Sequence, residues 1–346
     1  MPELRQDPLT GQWVSLAPGR ASRPEVMSYP QVGSAEPDAD CPFCEGHEHL
    51  TPPEVAALRA EGPPDGPGWS VRAVPNLFPA FSTEDAPADL GNPMRARGPA
   101  LGFSEVIIHS PDHRRWLPYL SAAQADTVMR FTRQRYRAHS VPGAGTVVPF
   151  YNHGKDAGAS LPHPHGQLMS MRLAAPQLDT ELGGAEEGYR RLGACVICRV
   201  MEDVLADDAR LVAHDEQFVA VTPWASRTPY EVWIVPREHE ADFGRITPEM
   251  AGEFGVFLRA TLWRHGQVLA DVPLNWYVHS LAHAAGESTE SYHWHLEIRP
   301  KLANLAGFEL ATGTYINTVA PEDAAEILRQ QAPPGTDEAP PPRPMR

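Results

Sequence analysis

Apolar residues recur along the 346-residue chain in short runs rich in β-branched and aromatic side chains. Glu105–His109 (EVIIH), Thr146–Tyr151 (TVVPFY), Phe218–Thr222 (FVAVT), Glu231–Val235 (EVWIV) and Asn275–His279 (NWYVH) are bounded by Pro, Ser or Gly, the pattern of β-strands. Gln167–Leu173 and His295–Ile298 read as further strands. Two longer segments carry helical spacing instead: Ser121–His139 behind a Ser cap, and Thr247–Leu269, which opens on Thr then Pro. Glu61–Gly68 (EGPPDGPG) reads as a loop, and the Gly- and Glu-rich Pro176–Gly193 as a connector. The Pro-rich stretch 331–346 reads as a disordered tail.

This order of strands, one long helix and more strands occurs twice, and the chemistry-bearing residues repeat with it. CPFC at 41–44 is answered by CVIC at 195–198, SPDH at 110–113 by PREH at 236–239, and HPHGQ at 163–167 by HWHLE at 293–297. Three features in the same order point to a duplicated domain. The fold class expected is α+β, with mainly antiparallel sheets flanked by helices, in domains 1–175 and 190–330. Parallel α/β ranks second, because helices do not alternate regularly with strands.

Composition narrows the function. The charge sum is 29 − 44 = −15, so general nucleic-acid binding, which draws on a basic field, is not expected. No stretch approaches the roughly 18 apolar residues of a membrane span. The N-terminus MPELRQDPLTGQW lacks a basic-then-apolar signal, so a cytoplasmic location is expected. The four cysteines fall in two Cys-x-x-Cys pairs, and the 15 histidines supply partners. A disulfide framework does not suit a long cytoplasmic chain. Metal does: thiolates two residues apart can both ligate one tetrahedral zinc. Cys41 and Cys44 would pair with His113 and His163, with His109 as the alternative to His113. Cys195 and Cys198 would pair with His239 and His293. Both sites would be closed and structural. Buried thiols or a redox dithiol are the alternatives, but a redox pair opens a helix in a βαβ setting and CPFC sits in a Pro-rich loop.

The catalytic signal is Tyr151–Gln167, YNHGKDAGASLPHPHGQ. Small residues at Gly154, Gly158, Ala159 and Ser160 let backbone N–H groups approach a ligand and form an anion nest. His163 and His165 are expected on opposite sides of an extended segment, one toward metal and one toward the loop. A neutral imidazole is a competent nucleophile toward phosphorus, and its adduct can pass the group on. Gln167, on the side of His165, can donate an amide hydrogen bond to a phosphoryl oxygen but cannot act as an acid. That suits a leaving group that is itself a phosphate.

CPFC, SPDH, the N-x-G…G-x-S loop and HPHGQ resemble the galactose-1-phosphate uridylyltransferase family of the histidine-triad superfamily, over about residues 1–330. The resemblance implies a duplicated histidine-triad-like domain and a homodimer. It also implies ping-pong nucleotidyl transfer between UDP-glucose and a hexose 1-phosphate. On it, His165 matches the nucleophile that forms a covalent nucleotidyl-histidine and Gln167 the residue holding the transferred phosphoryl group. Cys41, Cys44, His113 and His163 match zinc ligands. Arg20 and Arg23 match basic residues at phosphate, Asn76 the asparagine at the nucleoside, and Asn152 and Ser160 loop residues near the phosphates. Lys155 and Gly307–Tyr315 would help bind sugar phosphate.

The chain departs from the better-known members in its second half. Glu297 and Arg299 stand where a second metal site has histidines, so that site is expected to be lost and the second His-x-His to be vestigial for chemistry. Cys195, Cys198, His239, His293 and GFELATGTYIN resemble a branch that includes ADP-glucose phosphorylases. Leu77 follows Asn76 where the uridylyltransferase pattern is acidic. An ADP-sugar phosphorylase or dinucleotide hydrolase of the same superfamily is therefore one alternative, and a non-enzymatic, zinc-stabilised nucleotide binder the other.

Overall fold

A computed structural model describes residues 1–22, 40–85, 87–92, 94–173, 175–282, 288–302, 305–332 and 335. In chain order the strands are β1 (Glu3–Gln6), β2 (Trp13–Leu16), β3 (Ala56–Arg59), β4 (Trp69–Pro75), β5 (Gly102–Ile108), β6 (Thr146–His153) and β7 (His165–Met171). They continue with β8 (Leu211–His214), β9 (Phe218–Val221), β10 (Val232–Pro236), β11 (Leu274–His279), β12 (His295–Pro300) and β13 (Tyr315–Asn317).

Ten of them form one sheet in the order β3-β4-β5-β7-β6-β11-β12-β10-β9-β8. Every pairing in it is antiparallel. Read outward from the central β6–β11 pair, the two sides have the same topology, five strands from each half of the chain. The duplication thus shows in the strand order. The sheets of the halves do not stay apart: β6 and β11 would otherwise be open edges with unpaired N–H and C=O groups, and pairing them satisfies both. The remaining three strands make a small sheet in which β2 lies between β1 and β13, the latter parallel.

The main helices are α1 (Ala122–His139), α2 (Pro176–Leu192), α3 (Val196–Asp207) and α4 (Pro248–Leu269). Ser121 caps α1 by accepting from the Gln124 N–H, and Thr247 caps α4 by accepting from Met250 with Pro248 in the first turn. α1 and α4 pack on each other and cover one face of the sheet. There Met129, Phe131 and Tyr136 meet Phe254, Leu258 and the sheet residues Leu168, Trp276 and Leu296. The opposite face carries two smaller apolar clusters, one around Cys41, Phe43 and Ile108, the other around Cys195, Val219 and Trp233.

Pro176–Gly193, expected only as a connector joining the halves, is the helix α2. Pro176 starts it, Leu178, Glu181, Ala185 and Gly188 make its buried stripe, and Gly193 ends it at φ 65°. Its glycines and glutamates mask a stripe that is helical in spacing. The Pro-rich 331–346 stretch lies outside the described residues except for Gln331, Ala332 and Gly335. Among the described residues no helix is long and apolar enough to cross a membrane.

Candidate active site and metal centres

His165 opens β7 opposite Ile108 of β5, and Gln167 stands between Val106 of β5 and Phe150 of β6. Both face away from α1 and α4, as their shared parity requires. The expectation that His163 and His165 point to opposite sides is corrected by the same rule. Residues two apart on an extended chain share a face, and both rings lie against Phe43, at 6.1 and 5.2 Å. Their neighbours distinguish them instead. His163 Nδ1 is turned toward the thiols, whereas His165 Nδ1 donates to the His163 carbonyl at 2.7 Å. That bond leaves His165 Nε2 as the unprotonated, nucleophilic nitrogen. Burial pushes the His165 pKa down, against the raising effect of the His163 carbonyl, so the ring is held neutral.

Cys41, Cys44, His113 and His163 offer four ligand atoms within 4.8 Å of one another. Cys44 Sγ lies 3.3 Å from His113 Nδ1 and 3.6 Å from His163 Nδ1, and Cys41 Sγ lies 3.7 Å from His163 Nδ1. His163 Nε2 donates to the Ser110 carbonyl at 2.9 Å, the outer contact that fixes a ligating imidazole. Cys195, Cys198, His239 and His293 converge likewise, with Cys198 Sγ 3.4 and 3.5 Å from the two Nδ1 atoms. His239 Nε2 donates to the Thr289 carbonyl at 2.9 Å. Each group could hold a metal ion. His109 is excluded from the first group: it follows Ile108 on the other side of the sheet, stacked on Tyr151 at 5.3 Å, and burial drives its pKa down to about 3.

The loop after β6 differs from the expected nest. The Ala157 and Ala159 N–H groups both donate to the Gly154 carbonyl, and the Gly158 N–H to the Lys155 carbonyl. Those three amides are spent within the loop, so a phosphate there would depend on side chains and on the remaining N–H groups. Gly158 sits at φ 96°, a conformation that favours glycine. Asn152, at the end of β6, directs its Nδ2 to the Gly158 carbonyl at 3.5 Å, and Ser160 and Lys155 are exposed.

The other expected binding residues are spread more widely. Asn76 uses its side-chain oxygen to accept the Phe78 N–H, shaping a turn that exposes Leu77 and Phe78. Arg20 is exposed beside the three-stranded sheet, and Arg23 lies outside the described residues. The helix Gly307–Thr312 buries no side chain and exposes Phe308 and Leu310.

The second half is not stripped of ligands where a metal site was expected to be lost. Glu181, His279, His295 and Glu297 are all buried, and their ligand atoms lie within 4.8 Å of one another, so this third group could also hold a metal ion. His279 Nδ1 lies 2.8 Å from Glu181 Oε2. Glu297 accepts from Arg227 and Tyr277, while its Oε1 and His295 Nε2, 3.8 Å apart, have no hydrogen-bond partner among the described residues. Arg227 holds Glu297 well below the usual carboxylate range despite burial. The sequence reading missed Glu181 because it was assigned to a connector, and Phe43 because only its flanking cysteines were weighed.

The model for the galactose-1-phosphate uridyl transferase N-terminal domain matches residues 1–174. The chain is also 32% identical over 337 residues to ADP-glucose phosphorylase of Arabidopsis thaliana, covering 95% of this chain and 93% of that protein. The chain belongs to the galactose-1-phosphate uridyl transferase family. Within that family it is 27% identical to galactose-1-phosphate uridylyltransferase of Thermotoga maritima, over 95% of this chain and 98% of that one. The solved structure of the Arabidopsis thaliana ADP-glucose phosphorylase with bound ADP-glucose superposes with TM-score 0.80 at 30% identity, covering 96% of this chain and 100% of that chain. A structure described as a uridylyltransferase gives TM-score 0.73 at 26% identity, covering 95% and 97%. The family's named members are nucleotidyl-transferring enzymes, and this chain is one of that class.

Proposed function

We propose that the protein moves a nucleotidyl group from a nucleotide hexose to a phosphate-bearing acceptor through a covalent adduct on His165. The observation that carries this reading is the placement of that ring: buried, with Nδ1 engaged by the His163 carbonyl at 2.7 Å and Nε2 left to attack. Nε2 attacks the α-phosphorus, the bond to the leaving hexose 1-phosphate breaks, and the acceptor phosphate oxygen then displaces the imidazole. Gln167 donates its amide to the phosphoryl oxygens; the departing phosphate needs no proton.

Zinc would be held by Cys41, Cys44, His113 and His163, and a second zinc by Cys195, Cys198, His239 and His293. Zn–S near 2.3 Å and Zn–N near 2.0 Å separate tetrahedral ligands by roughly 3.5 Å, the range of the S···N distances here. With four protein ligands the ion supplies rigidity, and through His163 it fixes the strand that carries the nucleophile.

Two donors are in contention. UDP-glucose with hexose 1-phosphate as acceptor is supported by HPHGQ and by the relatives named uridylyltransferases. ADP-glucose with phosphate as acceptor is supported by Leu77, by the second cysteine–histidine quartet and by the higher identity to ADP-glucose phosphorylase. Brief incubation with each donor, without acceptor, followed by intact-protein mass, tests both. A UMP or AMP adduct that vanishes in His165→Ala identifies the donor. No adduct with either donor on zinc-loaded protein refutes the reaction and favours nucleotide binding alone.

A further inference from the structure

We infer that Asn275, in the second half, is a positioning residue for the catalytic loop of the first. This rests on the reading of Tyr151–Gln167 as the segment that takes the phosphates. Asn275 on β11 stands directly opposite Asn152 on β6. Its Nδ2 donates to the Ala157 carbonyl and to Asn152 Oδ1, both at 2.8 Å. A backbone carbonyl only accepts, so the amide nitrogen of Asn275 must face Ala157. Its second N–H then draws the Asn152 oxygen toward β11 and turns the Asn152 nitrogen into the loop. A residue 123 positions away thereby sets the orientation of the loop's own donor.

Two neighbours reinforce the grip. Lys301 Nζ donates to the Asp156 carbonyl, and the Asp271 carboxylate holds His153 Nε2 at 2.7 Å while Trp116 stacks on that ring at 3.9 Å. Loop residues 152, 153, 156 and 157 are thus held by side chains of the second half. A cavity of about 370 Å³, bordered by Asn152, Asn275, Tyr277 and Arg299, adjoins the contact. An Asn152 released from Asn275 has room to turn into it.

The test is the first-turnover rate of adduct formation at saturating nucleotide sugar, followed by quench and intact mass. Asn275→Leu keeps the bulk and removes both donors. It is expected to slow the first turnover about tenfold to a hundredfold, the range seen when groups orienting a reactive residue are lost. Zinc content and melting temperature should stay near wild type, and Asn275→Gln should recover part of the rate. In an Asn152→Ala background the same substitution should cost less than threefold. An unchanged first turnover, or losses that simply add to those of Asn152→Ala, would overturn the inference. Should Asn275→Leu not fold, Lys301→Met at its exposed position reads the same grip, with a smaller slowing expected and no slowing counting against it. Absence of any adduct in the wild type would instead overturn the reading of the loop itself.

Discussion

Gly166, between Gly's neighbours His165 and Gln167, is where one methyl group should disturb the nucleophile most directly. It pairs with Ile107 and Tyr151 across β5 and β6, and its absent side chain would point toward α1. A Cβ there would lie 2.9 Å from His109 Nε2 and 3.5 Å from the Phe150 carbonyl oxygen. Comfortable contacts of this kind are about 3.5–4.0 Å, so something must yield by roughly half an ångström to an ångström. His109 is hemmed in: it is 1% exposed and stacked on Tyr151, which is itself stacked on Trp276 at 5.7 Å. The strand is then the part that shifts, and His165 shifts with it. Overpacking of this kind costs about 1–3 kcal/mol, or roughly 1–4 °C in melting temperature for a chain of this size. A displacement of that order at the nucleophile costs about tenfold to a hundredfold in rate. Scanning calorimetry and adduct formation measured by mass would report both effects for Gly166→Ala. In a His109→Ala background the clash is gone, so the same substitution should cost less than threefold. Gly166→Ala with wild-type rate and melting point, or an equal loss in both backgrounds, refutes the argument.

Three further outcomes follow from the same geometry. His165→Ala should abolish the adduct while zinc content and fold persist; loss of folding would show that the ring is chiefly structural. Cys41→Ser should remove about one zinc per chain and lower the melting temperature by roughly 10 °C or more, since a closed site contributes its binding energy to folding; unchanged metal and stability would exclude Cys41 as a ligand. Hydrogen bonds from Arg59, joined by Arg72 and opposed by burial, hold Glu54 down at about 2 from an ordinary 4.5. A depressed carboxylate stabilises above its unfolded value and the contribution is lost as pH falls through the folded one. The wild-type melting temperature should therefore drop more steeply between pH 4.5 and 2 than that of Glu54→Gln, and parallel curves would refute the coupling.

What could be read from the chain alone was whatever is local. The strand runs at EVIIH, TVVPFY, FVAVT, EVWIV and NWYVH, and the capped helices at Ser121 and Thr247, all appear within a few residues of where their patterns place them. Alternation, β-branching and a capping hydroxyl act over one or two turns of chain, so no tertiary information is needed to see them. The two cysteine–histidine quartets were legible for a related reason: thiols two apart and repeated His-x-His motifs leave few ways to close a tetrahedral site.

What only the tertiary structure decided depends on which distant segments meet. The pairing of β6 with β11 joins the halves into one sheet, and it is this pairing that sets Asn275 against Asn152. Glu181 meets His279, His295 and Glu297 only because α2 packs beneath the second half. His113 rather than His109 reaches the thiols because the last residues of β5 alternate between faces, and the four residues beyond His109 carry His113 back to the cysteine side. Spacing names the groups able to react or ligate; the register between strands far apart in the chain selects which of them share a face.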